Sequence, residues 1–496
     1  MVENKNEHNE KNVYDPERWG LPKGATANLG GDLQSHWESY QLCFITKTRD
    51  TSQHAYDYMR GQLTMETERH FAGIGRQVGG HDGQSLQHFM TNSPWSGDLV
   101  YEKIQAEIRE KAQLAEGSVL LLDESADEKA GTDSAGASRQ YNGRMGKIDL
   151  CQVAVVLSHV NWKTGPWPIW SLVDGELFIP EKWFTPAYES KRQRLQIPED
   201  RRFATKLELG LQMIRRAKER GLPFEAVACD ELYGRSSDFR AQLDGDGNLY
   251  AADIPSNLRF YLQKPKIGIP KKRASKRARH PKRLRVLNGV PADTPHRLAR
   301  SRSSQWHFLR VRSNERGYLE AHFSVWRVWT WSEECPEPRE EWLVIRRESN
   351  GDHVYTLSNA SPDTPLSQLV EPGCTRYFVE RTIQDGKEEC GWGEFQAQKY
   401  PAWQHHTALT ACTLWFIAKT KLKYAIECKR DPDLIQQLEV EVLPALSTAN
   451  VRELMKAVLP LQQLSTDQAR YLVAKHLVNR SRSTASRLRN RSNAPP

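Results

Sequence analysis

The hydrophobic pattern of the chain changes period along its length. From about His36 to Leu114 apolar residues recur at helical spacing in short runs, SQHAYDYMRGQL, METERHFAGIGRQVG and QSLQHFMTN, joined by glycine-containing turns. Ser93, Pro94 and Trp95 read as the N-cap and first turn of a further helix. Short helices of this kind suit a helix-turn-helix-like module and an ordinary helical bundle equally. The period then shortens. SVLLLD (118–123) is a continuous apolar run ending in an acid, the mark of a buried central strand. CQVAVVLSHV (151–160) and WPIWSLVDGELFI (167–179) predict two more strands. Phe203, Leu207, Leu211, Ile214 and Ala217 share one face of a helix over 201–220, which Gly221 and Pro223 stop. FEAVACD (224–230) is again an apolar run ending in an acid, and NLYAADIP (248–255) reads as a fifth strand.

Further strands follow at HFSVWRVWTW (322–331), EEWLVIRRE (340–348) and DHVYTLSNA (352–360), with Asn350-Gly351 as the hairpin turn between the last two. Trp306, Trp326, Trp329 and Trp331 in this region suit base stacking or sheet packing.

Composition narrows the class. No apolar run approaches the roughly eighteen residues of a membrane span, and the first twenty residues lack the apolar core of a secretory signal. These readings predict a soluble intracellular protein. The eight cysteines form no C-x-x-C pair, as expected of reduced, partly buried thiols rather than a zinc site. Net charge is +8, yet Lys264 to Arg312 holds sixteen Lys or Arg against the single acid Asp293, so this segment carries +15 and the remainder −7. A polyanion is the partner such a segment fits. No G-x-x-x-x-G-K-[ST] phosphate loop and no G-x-S-x-G nucleophile turn occurs.

The order strand, strand, strand, helix, strand matches a ribonuclease H-like fold, an α/β core of mixed sheet with flanking helices. Its first and fourth strands lie side by side, which would bring Asp123 and Asp230 together. Downstream, RYFVERTIQDGK (376–387) reads as a helix on which Arg376, Glu380 and Lys387 project within about 40° of one line. Such a row is ordinarily a solvated salt-bridge face; here it offers a third carboxylate. Three carboxylates can hold a pair of Mg²⁺ ions that clamp the attacking and leaving oxygens of an in-line phosphoryl transfer. Adjacent His405 and His406 point to different sides of a helix and read as packing or DNA contacts.

The sequence resembles the DDE transposases of bacterial insertion sequences, in the group with a Tyr-x2-Arg-x3-Glu-x6-Lys signature around the third acid. The matching residues are Arg376-x3-Glu380-x6-Lys387, the first-acid block from LLLDESADEKAG through SRQYNGRMGKIDLCQVAVVLS, and the second-acid block VACDELYG (227–234). KYPAWQHHTALTACTLWF (399–416), RGQL and LQHFMTNSPW extend the resemblance over about 40 to 470. The signature tyrosine falls at Gly373, DEKA (127–130) is unusually acidic, and Lys264 to Arg312 matches no part of the pattern.

The resemblance implies a metal-dependent DNA transposase. Asp123, Asp230 and Glu380 would be the catalytic carboxylates and would bind two Mg²⁺, with Mn²⁺ substituting. Arg376 and Lys387 would hold DNA phosphates, with Arg139, Arg235 and Lys271, Lys272, Arg273, Lys276 and Arg277 as further DNA contacts. The expected divisions are a leader (1–35), an all-helical DNA-binding domain (36–114), the first part of the ribonuclease H-like core (115–255), a basic β-rich insertion (256–365), the second part of the core (366–430), and a C-terminal helical region with a basic tail (431–496). Partners would be double-stranded transposon ends and target DNA, with a homodimer on paired ends, no membrane and no nucleotide cofactor. The expected location is the bacterial cytoplasm, in association with the nucleoid. Two alternatives stay open: a ribonuclease H-like nuclease without strand transfer, and a domesticated DNA-binding protein with a vestigial site.

Overall fold

The computed structural model describes residues 13–80, 82–143, 145–164, 168–271, 282–314 and 317–461, together with residues 467, 470, 471 and 478. In chain order its strands are β1 Ser118–Glu128, β2 Ser138–Asn142, β3 Lys147–Asn161, β4 Ile169–Phe178, β5 Ala226–Cys229, β6 Tyr250–Asp253, β7 Phe260–Tyr261, β8 Ile267–Gly268, β9 Arg285–Val286, β10 Ala292–Asp293, β11 His307–Asn314, β12 Gly317–Thr330, β13 Arg339–Arg347 and β14 His353–Ser358. The helices that matter below are α1 Ala25–Tyr40, α2 Ser52–Thr64, α3 Gln84–Thr91, α4 Gly97–Arg109, α5 Lys206–Glu219, α6 Tyr377–Gln384, α7 Tyr400–Glu427 and α8 Thr448–Val458.

One mixed sheet organises the chain. Its first half runs β4, β3, β1, β5, β6, with β3 antiparallel to both neighbours and β1, β5 and β6 mutually parallel. The apolar runs read from the sequence explain this placement. Leu120, Leu121, Leu122, Val227, Ala228 and Cys229 are fully buried, as strands covered on both faces must be. The strand-rich segment after residue 256 does not stand apart from this sheet. β14 pairs with β6, β13 with β14, and β12 with β13, so the sheet continues outward as twelve strands. A buried ion pair fastens the junction. Arg240 Nε lies 2.9 Å from Glu341 Oε1, with both side chains shut off from solvent.

The N-terminal helices α1 to α4 share a continuous apolar core with this sheet, running from Leu29 through β1 and β3 to Met455 in α8. The long helix α7 makes that possible: it lies against β4, α2, α3 and α4, and is buried along most of its length. His405 and His406 belong to this packing. The His405 ring stacks on Trp95 at 3.8 Å between centroids, its nitrogens facing the carbonyls of Met90 and Trp95. His406 is held between the Tyr58 hydroxyl and the Trp392 carbonyl.

Several local expectations need correction. The helix expected at Ser93 begins at Gly97, capped by Ser96, because Trp95 is drawn into the core against Phe89 and His405 before the first turn forms. The helix expected over 201–220 begins at Lys206, where Thr205 and Glu208 form a capping box, and leaves Phe203 outside and 37% exposed. SRQY, not read as a strand, forms β2 against the start of β3. The segment 376–387 is not one regular α-helix. α6 passes at Asp385 into a wider π turn, Asp385–Glu389, closed by the Cys390 amide on the Asp385 carbonyl. Asp385 is pinned there by the Trp170 indole and the Thr448 hydroxyl. All eight cysteines are free, and among the described residues no helix is long and apolar enough to cross a membrane.

Candidate active site

The site grows out of strand register. Leu122 pairs with Cys229 across β1 and β5, and Cys229 pairs with Ala252 across β5 and β6. Asp123, Asp230 and Asp253 each follow one of these residues. Three adjacent parallel strands therefore carry three aspartates in a row: β5 and β6 end there, whereas β1, read from the sequence as ending at Asp123, runs on against β3 to Glu128. Asp230 also caps the short helix Glu231–Gly234, its Oδ1 accepting from the Leu232 amide at 3.0 Å. The Asp123 Oδ1 accepts from the Glu124 amide at 2.7 Å.

α6 lies over β1 and delivers the rest. Arg376, at its N-cap, reaches three carboxylates at once: Nε to Asp253 Oδ2 at 3.0 Å, Nη2 to Glu380 Oε1 at 2.9 Å, and Nη1 to Asp123 Oδ2 at 3.6 Å. Glu380 is half exposed at 54%, whereas Asp123 and Asp253 retain only 16%. Lys387 sits farther along. Its Nζ bonds Asp127 Oδ1 at 2.8 Å and the Ala126 carbonyl at 2.7 Å. The spacing has a geometric reason. Arg376 meets Asp123 and Lys387 meets Asp127, two acids four residues apart and therefore on the same side of β1.

Electrostatics mark the same place. Burial, and next the charge of Asp230, push the Asp123 carboxyl up to about 7. Burial likewise raises Asp230 and Asp253, against the opposing pull of Arg376. Burial works against the Arg376 charge, but its carboxylate neighbours, Asp253 first, raise its pKa overall. Glu124, beside Asp123, is raised by burial and tied to Lys206 Nζ at 2.6 Å.

The structure therefore brings Asp123, Asp230, Arg376 and Glu380 together and sets Lys387 one step away on Asp127. Arg235 is exposed and pairs with Glu231 at 3.3 Å. Arg139 is exposed on β2, opposite Leu150. Lys271 is exposed, and Lys272, Arg273, Lys276 and Arg277 lie outside the described residues. The tryptophans of the extension are half-buried: Trp306 faces the Arg347 guanidinium at 4.5 Å and Trp329 the Lys264 ammonium at 4.9 Å. Asp253 was not singled out from the sequence. A signal for it exists: YAAD (250–253) repeats the pattern of LLLD and VACD, an apolar run closed by an aspartate.

As a donor set, the carboxylates suit a hard divalent cation. They offer oxygen ligands only, and burial with mutual repulsion disfavours their ionised forms in a way that a cation would relieve. Among the described residues no three acidic, histidine or cysteine side chains converge closely enough to ligate one ion; the Arg376 guanidinium stands among them instead.

Comparison with known families decides the classification. The family model for DDE superfamily endonucleases matches residues 41–317, which include Asp123, Asp230 and Asp253. The chain belongs to the DDE superfamily endonucleases. It is also 25% identical over 331 residues to the probable transposase for insertion sequence element IS701 of Microchaete diplosiphon, covering 66% of this chain and 72% of that protein. A piggyBac transposase synaptic complex with hairpin DNA aligns with 94% of this chain and 80% of its own at 11% identity, with a TM-score of 0.32. The resemblance to insertion-sequence DDE transposases read from the sequence is borne out at the level of family, and this DDE endonuclease is an enzyme by that membership.

Proposed function

We propose that this chain is the transposase of an insertion sequence, cutting DNA at the element's ends and joining the freed 3′-hydroxyls to target DNA. The observation that carries the reading is the register that sets Asp123 and Asp230 side by side, each one residue past the Leu122–Cys229 pair of adjacent parallel strands, with Glu380 joined to Asp123 through Arg376. The strand order β4, β3, β1, β5, β6, with β3 alone antiparallel to its neighbours, supports a ribonuclease H-like core.

Asp123, Asp230 and Glu380 would hold the divalent ions. Two Mg²⁺ bound there would supply activation of the attacking oxygen and stabilisation of the leaving oxygen. The chain itself does the positioning. Asp123 and Asp230 are fixed on a buried sheet and by backbone amides, so their oxygens are preorganised before DNA arrives. Glu380 is the exposed member and can adjust as substrate enters. Arg376 offers a guanidinium with the donor fork suited to a phosphate, and Lys387 a second positive charge along β1. DNA is the proposed partner of the helices before β1 and of the basic segment 264–312, where contact should be salt-sensitive and sequence-tolerant. Assembly as a dimer on paired ends, a cytoplasmic location at the nucleoid and the sixfold division of the chain, with its first boundary moved ahead of α1 because the expected one at 35/36 falls inside that helix, are part of the same proposal.

The test is excision in cells of a marker flanked by the DNA that borders the gene. Wild type is expected to excise, and Asp230→Asn and Glu380→Gln to fail. Equal excision by all three would mean that other carboxylates do the chemistry. Cleavage by purified protein without joining of 3′-ends to target DNA would replace the transposase reading with that of a nuclease.

A further inference from the structure

Asp253 lies within the candidate site without being one of the three carboxylates assigned to it. It ends β6 one residue beyond the Cys229–Ala252 pair, in line with Asp230. Both of its oxygens are engaged: Oδ1 accepts from the Thr356 hydroxyl at 2.6 Å, and Oδ2 faces Arg376 Nε at 3.0 Å. Its backbone is fixed as well. A Cβ on Gly234, in the turn that follows Asp230, would stand 1.9 Å from the Asp253 carbonyl oxygen, so the two segments are in direct contact. The Asp253 carboxylate is thus held at both oxygens, whereas the other partners of Arg376 differ in kind. Glu380 is half exposed, and Asp123 is held only at 3.6 Å.

We propose that Asp253 is a positioning residue that anchors Arg376 through Nε, so that the guanidinium can leave Asp123 and Glu380 for a divalent ion without leaving the site. This rests on the reading of Asp123, Asp230 and Glu380 as metal-binding carboxylates. In the observed arrangement one guanidinium partly neutralises the acid cluster. For a divalent ion to be held there, the two Nη groups of Arg376 would have to leave Asp123 and Glu380. Because Nε stays on Asp253, the arginine keeps a full carboxylate partner throughout, and its Nη groups are turned free for a phosphate oxygen. Without the Asp253 charge, the acids left to Arg376 are those the ion needs, and arginine and ion compete for them.

The experiment is Mn²⁺ binding to the full chain by calorimetry and by electron paramagnetic resonance, in a cycle of wild type, Asp253→Asn, Arg376→Gln and the double variant. Asp253→Asn is expected to weaken Mn²⁺ binding at least about fivefold more when Arg376 is present than when it is Gln, a coupling typical of contacting charged groups. The same factor in both backgrounds would make Asp253 a bystander negative charge and overturn the proposal. Asn keeps an oxygen for Thr356, so folding should survive. If it does not, Thr356→Val, which loosens the same carboxylate, must give a smaller loss that also vanishes in the Arg376→Gln background. An Asp123→Asn control separates the two readings. If it leaves Mn²⁺ binding unchanged, the metal assignment itself fails, and this proposal with it. If it weakens binding while the cycle is additive, only the role of Asp253 fails.

Discussion

Asp123 and Asp230 stand side by side at the same level of neighbouring parallel strands, and the charge of Asp230 is, after burial, the main reason the Asp123 carboxyl is pushed up to about 7. Nothing in the packing of the sheet requires this. A serine or asparagine at either position would satisfy the same backbone and avoid the repulsion. Two buried like charges facing one another are instead a cost that a bound cation or a nearby arginine can offset. Arg376 does so in the observed state, touching Asp123, Asp253 and Glu380.

Lys387 is expected to matter to the fold before any DNA is bound. It bridges the π turn to the far end of β1 through Asp127 and the Ala126 carbonyl, and is itself largely buried. Lys387→Met should cost about 1–3 kcal/mol, because Asp127 is left without its partner in a half-buried place. Chemical unfolding of DNA-free protein measures this, and adding Asp127→Asn should recover part of the loss. Unchanged stability with weakened DNA affinity would instead make Lys387 purely a phosphate contact.

The junction between the first half of the sheet and its extension should be intolerant of charge removal. Glu341 is fully buried, and Arg240, Tyr250 and Thr330 all direct donors at it. Glu341→Gln leaves the Arg240 guanidinium buried without a compensating charge, a loss on the order of 3–5 kcal/mol. A large drop in melting temperature is expected, and Arg240→Met in the same chain should restore much of it. A change within experimental error would show that the two parts of the sheet hold together without this pair.

How far the sequence foretold these features depended on whether local chemistry or tertiary contact decided them. LLLD and VACD were legible as buried strands because burial on both faces removes the polar alternation of an ordinary strand, but the run of β1 past Asp123 to Glu128 was not, since pairing with β3 decides it. Their adjacency followed from strand order. The Asn350-Gly351 turn was legible for a local reason, since Gly351 adopts φ of 89° there. Asp253 was missed although YAAD carries the same pattern, because its importance lies in the reach of an arginine from 123 residues away, as the difference of 376 and 253 gives. The π turn at Asp385–Glu389 was missed for a similar reason. Trp170 and Thr448, distant in sequence, hold the Asp385 side chain in place.

Asp174 provides a pH test at the opposite edge of the sheet. It is fully buried on β4 beside Arg216, and burial, opposed by that arginine, raises its pKa to about 6. The folded value exceeds the unfolded one, so between about pH 4 and pH 6 the folded state binds the proton that the unfolded chain has lost. Stability from this group is therefore complete below about pH 4 and falls as pH rises to about 6. Asp174→Asn cannot titrate. Its stability relative to wild type should climb through that window by up to about 3 kcal/mol and then level off. Arg216 keeps Glu176 as a partner at 3.3 Å in the variant, so the slope is read apart from any constant offset. Parallel pH profiles for the two proteins would show that Asp174 titrates at its ordinary value.

The charge of 264–312 predicts how DNA affinity responds to salt. That segment holds fifteen net positive charges on a chain whose remainder is negative. Each phosphate contact releases condensed counterions, and the slope of log affinity against log salt reports roughly 0.9 per contact on duplex DNA. Neutralising Lys271, Lys272, Arg273 and Lys276 together should flatten that slope by about 3 to 4 if all four touch phosphates. Preference among DNA sequences should change little, because phosphate contacts carry no base identity. A filter-binding or fluorescence titration of wild type and the fourfold variant across a salt series decides it. An unchanged slope would remove these four residues from the DNA path and leave binding to the helices before β1 and to the carboxylate site.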